Sequence, residues 1–192
     1  MLIVPPYCTA SKDGIGIRPY HHEDGVPMYE AVAESLDYLN TYLSCFRNTN
    51  QQEIQGLVDA CINVWTRGDQ FFFVIFDTNT NQILGSTSVD RIDPFHYFAN
   101  LGYWVRKSAL RRGVATTASL LAAKFAFEQL QLLRLEIVTD LTNIPSQRVA
   151  ERMGAIKEGV LRKRLVHNNT SHSAFMYSLI PEDLGLPQLR IL

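Results

Sequence analysis

One stretch, from Leu101 to Gly159, constrains this chain more than any other. LGYWV is apolar and strand-like, and it runs into a basic, glycine-containing turn, LRRGVA. The turn opens an amphipathic helix from Val114 to about Leu130, with Val114, Ala118, Leu121, Ala122, Phe125 and Ala126 on one side and Lys124 and Glu128 paired on the other. Leu133 to Thr139 reads as a second strand. Asn143 then opens a short helix from Pro145 to Met153, closed by Gly154. A strand–helix–strand–helix succession of this kind must cover a sheet with helices.

The remaining segments extend that sheet. Ile15–Arg18 suits a first strand ended by Pro19, and His22–Ser35 suits a helix with Asp24 as its cap and Pro27 in its first turn. Ile54, Leu57, Val58, Cys61, Ile62 and Trp65 form a stripe at helical period, and Gly68 stops it. FFFVIF, Phe71 to Phe76, is continuous and apolar, as a strand buried on both faces would be. A turn at Asp77–Asn81 leads into a strand over Gln82–Asp90, and Ala99–Val105 completes a meander. Ala155–Leu161 and Ser171–Leu179 close the sheet. The expected order is βααβββαβαββ: an α/β fold with a mixed, mostly antiparallel sheet flanked by helices, in one domain over 1–192.

Composition excludes several classes. Of 192 residues, 46% are hydrophobic and 19% charged, the balance of a soluble globular domain, and the net charge of −1 argues against direct nucleic-acid binding. The start MLIVPPY is neither leader nor membrane span. Cys8, Cys45 and Cys61 fit no metal spacing and read as reduced cytoplasmic thiols. Two adjacent histidines, His21 and His22, rarely share one ion, so no metal is expected. The sequons at Asn168 and Asn169 carry no weight without secretion. The apolar tail Leu184–Leu192 suits a homodimer contact.

The turn Leu110–Ala115 has the chemistry of an anion cradle. A helix start offers free N–H groups and a favourable dipole, Gly113 lets the backbone approach closely, and Arg111 and Arg112 add charge. A solvated basic loop is the plain alternative. Asn143 is explained by capping alone, and Ser146, in the first turn after it, by an idle hydroxyl.

Together these motifs resemble the GNAT N-acetyltransferases, in the branch that includes the RimJ/RimL ribosomal-protein acetyltransferases. The family pattern Gln/Arg–x–x–Gly–x–Gly/Ala is met at Gly113 and Ala115, while Leu110 departs from its first position. The resemblance implies that the fourth and fifth strands part to admit acetyl-CoA. Its pyrophosphate would lie on Leu110, Arg111, Arg112, Gly113, Val114, Ala115 and Thr116, and its pantetheine along Trp104, Val105 and Arg106, with the Val105 N–H at the thioester carbonyl. Asn143 would contact the pantetheine, and Ser146 would act on the sulfur as general acid. Glu158 would be the base through a water, with Asp90 and Asp93 as alternatives, and Tyr177 is either a core aromatic or a proton donor. The helices up to Phe46 would wall the acceptor site, where Glu30, Glu34 and Asp37 would attract a cationic amine. The implied function is acetyl transfer, by direct attack, to a protein N-terminal amine or to a small amine such as an antibiotic or polyamine. A catalytically silent acyl-CoA binder is the rival.

Overall fold

The computed structural model describes residues 9–43, 46, 49–167 and 169–187. Cys8, Cys45, Asn168 and most of the apolar tail lie outside the described residues. Strands β1 (Ala10–Lys12) and β2 (Ile15–Pro19) precede three helices, α1 (Gly25–Ala33), α2 (Leu36–Tyr42) and α3 (Gln51–Arg67). The meander β3 (Phe71–Asp77), β4 (Ile83–Asp93) and β5 (Phe98–Val105) follows. Then come α4 (Val114–Glu128), β6 (Arg134–Asp140), α5 (Ile144–Arg152), β7 (Ile156–His167) and β8 (Thr170–Leu179). The strands form one sheet in the order β1-β2-β3-β4-β5-β6-β8-β7. Every pairing is antiparallel except β5 with β6.

The apolar run on β3 does what its continuity requires. Phe71, Phe73 and Ile75 face the core shared with Val114, Ala118, Ala122 and Phe125 of α4. Val74 and Phe76 pack on the other face with Met28 and Val32 of α1 and Ile54 and Val58 of α3. Trp65, in the last turn of α3, stands edge-on to Phe71 and Phe73, at 5.1 and 5.0 Å, and stacks on Phe125 at 5.8 Å. Local chemistry sets the ends of α3. Asn50 and Glu53 form a reciprocal capping box, and Gly68 takes the left-handed turn that ends the helix.

Several boundaries differ from the sequence-based expectation. β1 is a short edge strand too polar to show a pattern. The helix expected over His22–Ser35 begins only at Gly25, after a 3-10 turn, and breaks before Leu36. Asp24 caps no N–H of α1. Its buried carboxylate accepts from the His21 N–H and pairs with Arg18 through two 2.7 Å contacts. β7 runs to His167 rather than Leu161, because its polar continuation Arg162–Lys163–Arg164 has no alternation to read. There β7 advances from Leu161 to Leu165 while β8 moves only from Ala174 to His172. This bulge bends the hairpin end.

Phe125 is the hub of the aromatic cluster. Phe125→Ala should lower unfolding stability by about 3–5 kcal/mol. In urea this should read as a lower midpoint with an unchanged slope.

Candidate active site

The site is built on a strand pair that fails to stay together. β5 and β6 pair at three positions, Phe98 with Arg134, Ala99 with Leu135 and Asn100 with Glu136. Beyond these, β6 continues with β8 up to Asp140, and β5 continues with β4 up to Val105. The two strands therefore part towards their C-terminal ends, where ligands of α/β sheets collect. The register settles which backbone groups the parting strands leave free. The Arg106 N–H donates to the Leu84 carbonyl, which makes Val105 and Gly85 a pair that exchanges no hydrogen bonds. By alternation, the N–H groups of Tyr103 and Val105 point away from β4, into the opening. Gly85 permits this tight end, for at φ +150° its Cβ would lie 2.2 Å from the Trp104 carbonyl oxygen.

The turn after β5 leads to the second set of free donors. Leu110, Arg111, Arg112 and Gly113 are exposed, and Arg111 and Gly113 both have positive φ. Gly113 caps α4 with backbone alone, no side chain among the described residues caps this helix, and nothing lies within 4 Å of where a Gly113 Cβ would be. The N–H groups of Val114, Ala115 and Thr116 thus have no side-chain partner among the described residues. Arg112 reaches back to Asp77 at 3.9 Å, a contact long enough to be given up to a stronger anion.

Across the opening stands the start of α5. Asn143 accepts from the Ser146 N–H at 3.2 Å, so the capping role is present, and its amide NH₂ has no partner among the described residues. The Tyr103 hydroxyl spans the gap from β5 to Ser146, 3.0 Å from its carbonyl oxygen and 3.1 Å from its Oγ. Burial pushes the Tyr103 hydroxyl up to about 12, so it stays protonated. Sequence reasoning passed over Tyr103 as one more strand aromatic, and nothing local distinguishes it. Tyr177 is fully buried, and its hydroxyl approaches Glu151 at 3.3 Å.

Helices α1 and α2 roof the open end. Glu34 pairs with the Arg106 guanidinium and accepts from the Ser108 N–H at 2.7 Å. The Ser35 hydroxyl accepts from the Lys107 N–H at 3.0 Å, and Asp37 pairs with Lys107. At the other end of α2, Tyr42 donates to the Thr142 carbonyl at 3.3 Å. The roof therefore reaches from the end of β5 to the turn after β6. Its acids are largely engaged: Glu34 and Asp37 are tied to β5's basic neighbours, and of the three acids expected to draw in an amine, Glu30 alone has no such partner among the described residues. Arg106 likewise serves the fold. It is buried, with its side chain on Glu34 and the Ile83 carbonyl and its N–H on Leu84. The Tyr38 hydroxyl, on α2, is buried without a hydrogen-bond partner among the described residues. Burial raises it to about 12 against the pull of the Ser35 hydroxyl and of the Val105 N–H.

The family model of the acetyltransferase (GNAT) domain matches residues 15–156. The chain belongs to the GNAT acetyltransferase family. Among its relatives is the ribosomal-protein-serine acetyltransferase of Escherichia coli K12, 25% identical over 155 residues, covering 80% of this chain and 86% of that one. A candidate ribosomal N-acetyltransferase of Bacillus subtilis 168, YdaF, is 33% identical over 101 residues, 53% of this chain; the chain spans only 55% of that relative's length. A solved RimL structure, the ribosomal L7/L12 α-N-protein acetyltransferase in complex with coenzyme A, superposes with a TM-score of 0.83 at 22% identity, covering 89% of this chain and 96% of that one. The expected family and fold are thereby borne out. No helix among the described residues is long and apolar enough to cross a membrane.

Within this GNAT site the carboxylates sort by position. Asp90 and Asp93 are level with Asn100 and Phe98, at the closed end of the opening. Asp90 accepts from Ser88 and Asn100, and Asp93 caps a turn through the N–H groups of Phe95 and His96. Glu158 is the unpaired residue of a bulge on β7, two strands beyond β6. Strand spacing puts it about 10 Å from β6. Both its oxygens are held by Arg134, at 2.7 and 2.6 Å, and that guanidinium, with Ser178, holds its carboxyl at about 2. A carboxylate so held takes up a proton poorly near neutral pH. The opposite situation is found at the end of β6. Asp140 Oδ1 accepts from the N–H and hydroxyl of Thr142, at 2.7 and 2.6 Å. Its Oδ2 lies 2.9 Å from His167 Nε2 and 3.4 Å from His172 Nδ1. Sequence gave no sign of this cluster, since its members are 27 and 32 positions from Asp140 in the chain and meet only through the bent hairpin.

Glu34 and Glu158 are both held at about 2, Glu34 chiefly by Arg106. Both depressed carboxyls stabilise the fold fully above their unfolded value, about 4.3, and lose that contribution as pH falls through about 2. Denaturation midpoints should therefore drop steeply between about pH 4.5 and 2, and the double variant Glu34→Gln, Glu158→Gln should show a shallower drop than wild type.

Proposed function

We propose that this protein transfers an acetyl group from acetyl-CoA to a protein N-terminal amine. The observation that carries the reading is the parted β5–β6 pair, with the free Tyr103 and Val105 N–H groups lying between an uncapped α4 start and the Asn143–Ser146 turn. Acetyl-CoA supplies the activated thioester. The N–H groups of Val114, Ala115 and Thr116 hold the pyrophosphate, aided by Arg111 and Arg112. The free edge of β5 takes the pantetheine arm as an added strand. The Val105 N–H is directed at the thioester oxygen, where its bond strengthens as negative charge develops.

Asn143 turns its spare amide hydrogens to the pantetheine while capping α5. Ser146 passes a proton to the departing thiolate, and the Tyr103 hydroxyl holds Ser146 in place across the gap. Tyr177 serves the core in this reading, and Glu158 anchors β7 to β6 through Arg134. Attack is direct. Burial pushes the Cys61 thiol up to about 12, which makes it a poor nucleophile for a covalent relay. The ribosomal targets named for the Escherichia coli and Bacillus relatives support a protein N-terminus as acceptor. The single-domain organisation expected from length is part of the same reading.

Calorimetric titration of the purified protein with acetyl-CoA should give saturable one-to-one binding. Gly113→Glu should abolish it, by bulk and like charge beside the pyrophosphate, and an unchanged affinity would refute the cradle. Ser146→Ala and Tyr103→Phe should each slow coenzyme A release with a serine-initiated peptide by roughly tenfold or more, since a thiolate leaves readily, while acetyl-CoA affinity stays within about twofold. Mass spectrometry should place the acetyl group on the peptide's N-terminal nitrogen.

A further inference from the structure

We propose that His172, backed by Asp140, is the base that frees the acceptor amine. This inference rests on the transferase reading above. An N-terminal amine is mostly an ammonium below a pH of about 8, and an ammonium has no lone pair with which to attack. Some group at the acceptor side must take its proton. Glu158 is locked to Arg134, and Asp90 and Asp93 lie at the closed end of the opening. The Asp140–His167–His172 cluster lies at the open end. Asp140 is the last residue of β6, and a hydrogen-bonded turn joins it to Asn143 and Ser146, with the Asn143 N–H on the Asp140 carbonyl at 3.0 Å and Gln147 Nε2 on the same oxygen at 3.3 Å. Tyr42 of the roof donates to Thr142 within that turn, and its ring stands edge-on to His167 at 6.4 Å. The cluster is thus set under the far end of α2, on the opposite side of the opening from Val105.

The two imidazoles are not equivalent. They stack at 3.6 Å, and both face Asp140 Oδ2. His167 is buried, and its Nδ1 has no hydrogen-bond partner among the described residues. His172 is one-third exposed, with its Nδ1 towards Asp140, so Nε2 is the nitrogen an acceptor can reach. Burial pushes the Asp140 carboxyl up, but the hydrogen bonds from Thr142 and His167 outweigh it and keep the group ionised, so its charge is there to stabilise an imidazolium. Among the described residues, Asp140 and His167 are set directly against His172, and Tyr42 stands behind His167.

The step balances. The ammonium gives one proton to His172 Nε2, which returns it to water. The nitrogen lone pair forms the C–N bond at the thioester carbon, and the carbonyl π pair moves to oxygen under the Val105 N–H. When that pair returns, the C–S bond breaks with its electrons on sulfur. The second proton on nitrogen is lost, and the thiolate is protonated through Ser146. The sum is ammonium plus acetyl-CoA giving amide, coenzyme A and one proton.

The test is the pH profile of kcat/KM for a serine-initiated peptide, followed by thiol release, for wild type, His172→Gln and His172→Ala, with acetyl-CoA affinity measured calorimetrically on each. Loss of a general base costs about 10²–10⁴-fold. Both variants should lose at least 100-fold at pH 7 with acetyl-CoA affinity within about twofold. Activity should recover as pH rises through the amine's own titration, and imidazole in the buffer should partly rescue His172→Ala. Variants as active as wild type with the same acidic limb would overturn the base and leave the transferase standing. A wild-type protein that binds acetyl-CoA but acetylates no N-terminal amine would overturn the transferase reading, and the base with it.

Discussion

Everything in this structure depends on β5 and β6 pairing at three positions and then parting. Backbone N–H groups left unpaired inside a fold are costly, and proteins rarely keep them without a partner in view. Here Tyr103 and Val105 turn theirs into a gap that β6 has left to pair with β8. The parted strands are useful because other elements hold them apart. α2 is fastened to the end of β5 through Glu34, Ser35 and Asp37, and to the turn after β6 through Tyr42. Tyr103 fixes the width at one level by reaching Ser146.

The gap then orders the chemistry along its length. In the proposed reading the anion-binding donors lie where α4 starts, just past the end of β5, the thioester donor is at Val105, the sulfur-side hydroxyls are at Ser146 and Tyr103, and the proposed proton acceptor is His172 beside Asp140. These groups come from β5, α4, α5, β6 and β8, and none could act without the strand ends that position them. The salt links on the roof cost the site some of its negative charge, because Glu34 and Asp37 neutralise Arg106 and Lys107 instead of facing an incoming amine.

Much of this was legible in the sequence because it was local. The uncapped glycine turn, the Asn143 cap and the two-faced FFFVIF strand are each stated by adjacent residues, and each is found where the pattern put it. What was hidden depends on distant pairings. Glu158 reads as an available acid only until β6 brings Arg134 against it. His167 and His172 read as ordinary strand residues until the β7 bulge bends the hairpin back over Asp140. Tyr103 acquires a role only because α5 begins opposite it. Arg106 was expected along the pantetheine, and the fold turns its guanidinium to Glu34 at the end of α1.

The most direct measurement of the central claim is residue-resolved amide hydrogen exchange with and without acetyl-CoA. The parted-strand account predicts that the Tyr103 and Val105 amides exchange readily in the free protein and become protected together with Val114, Ala115 and Thr116 when the ligand binds. Amides of β5 that are already protected in the free protein, or that stay exposed while acetyl-CoA is bound, would contradict it.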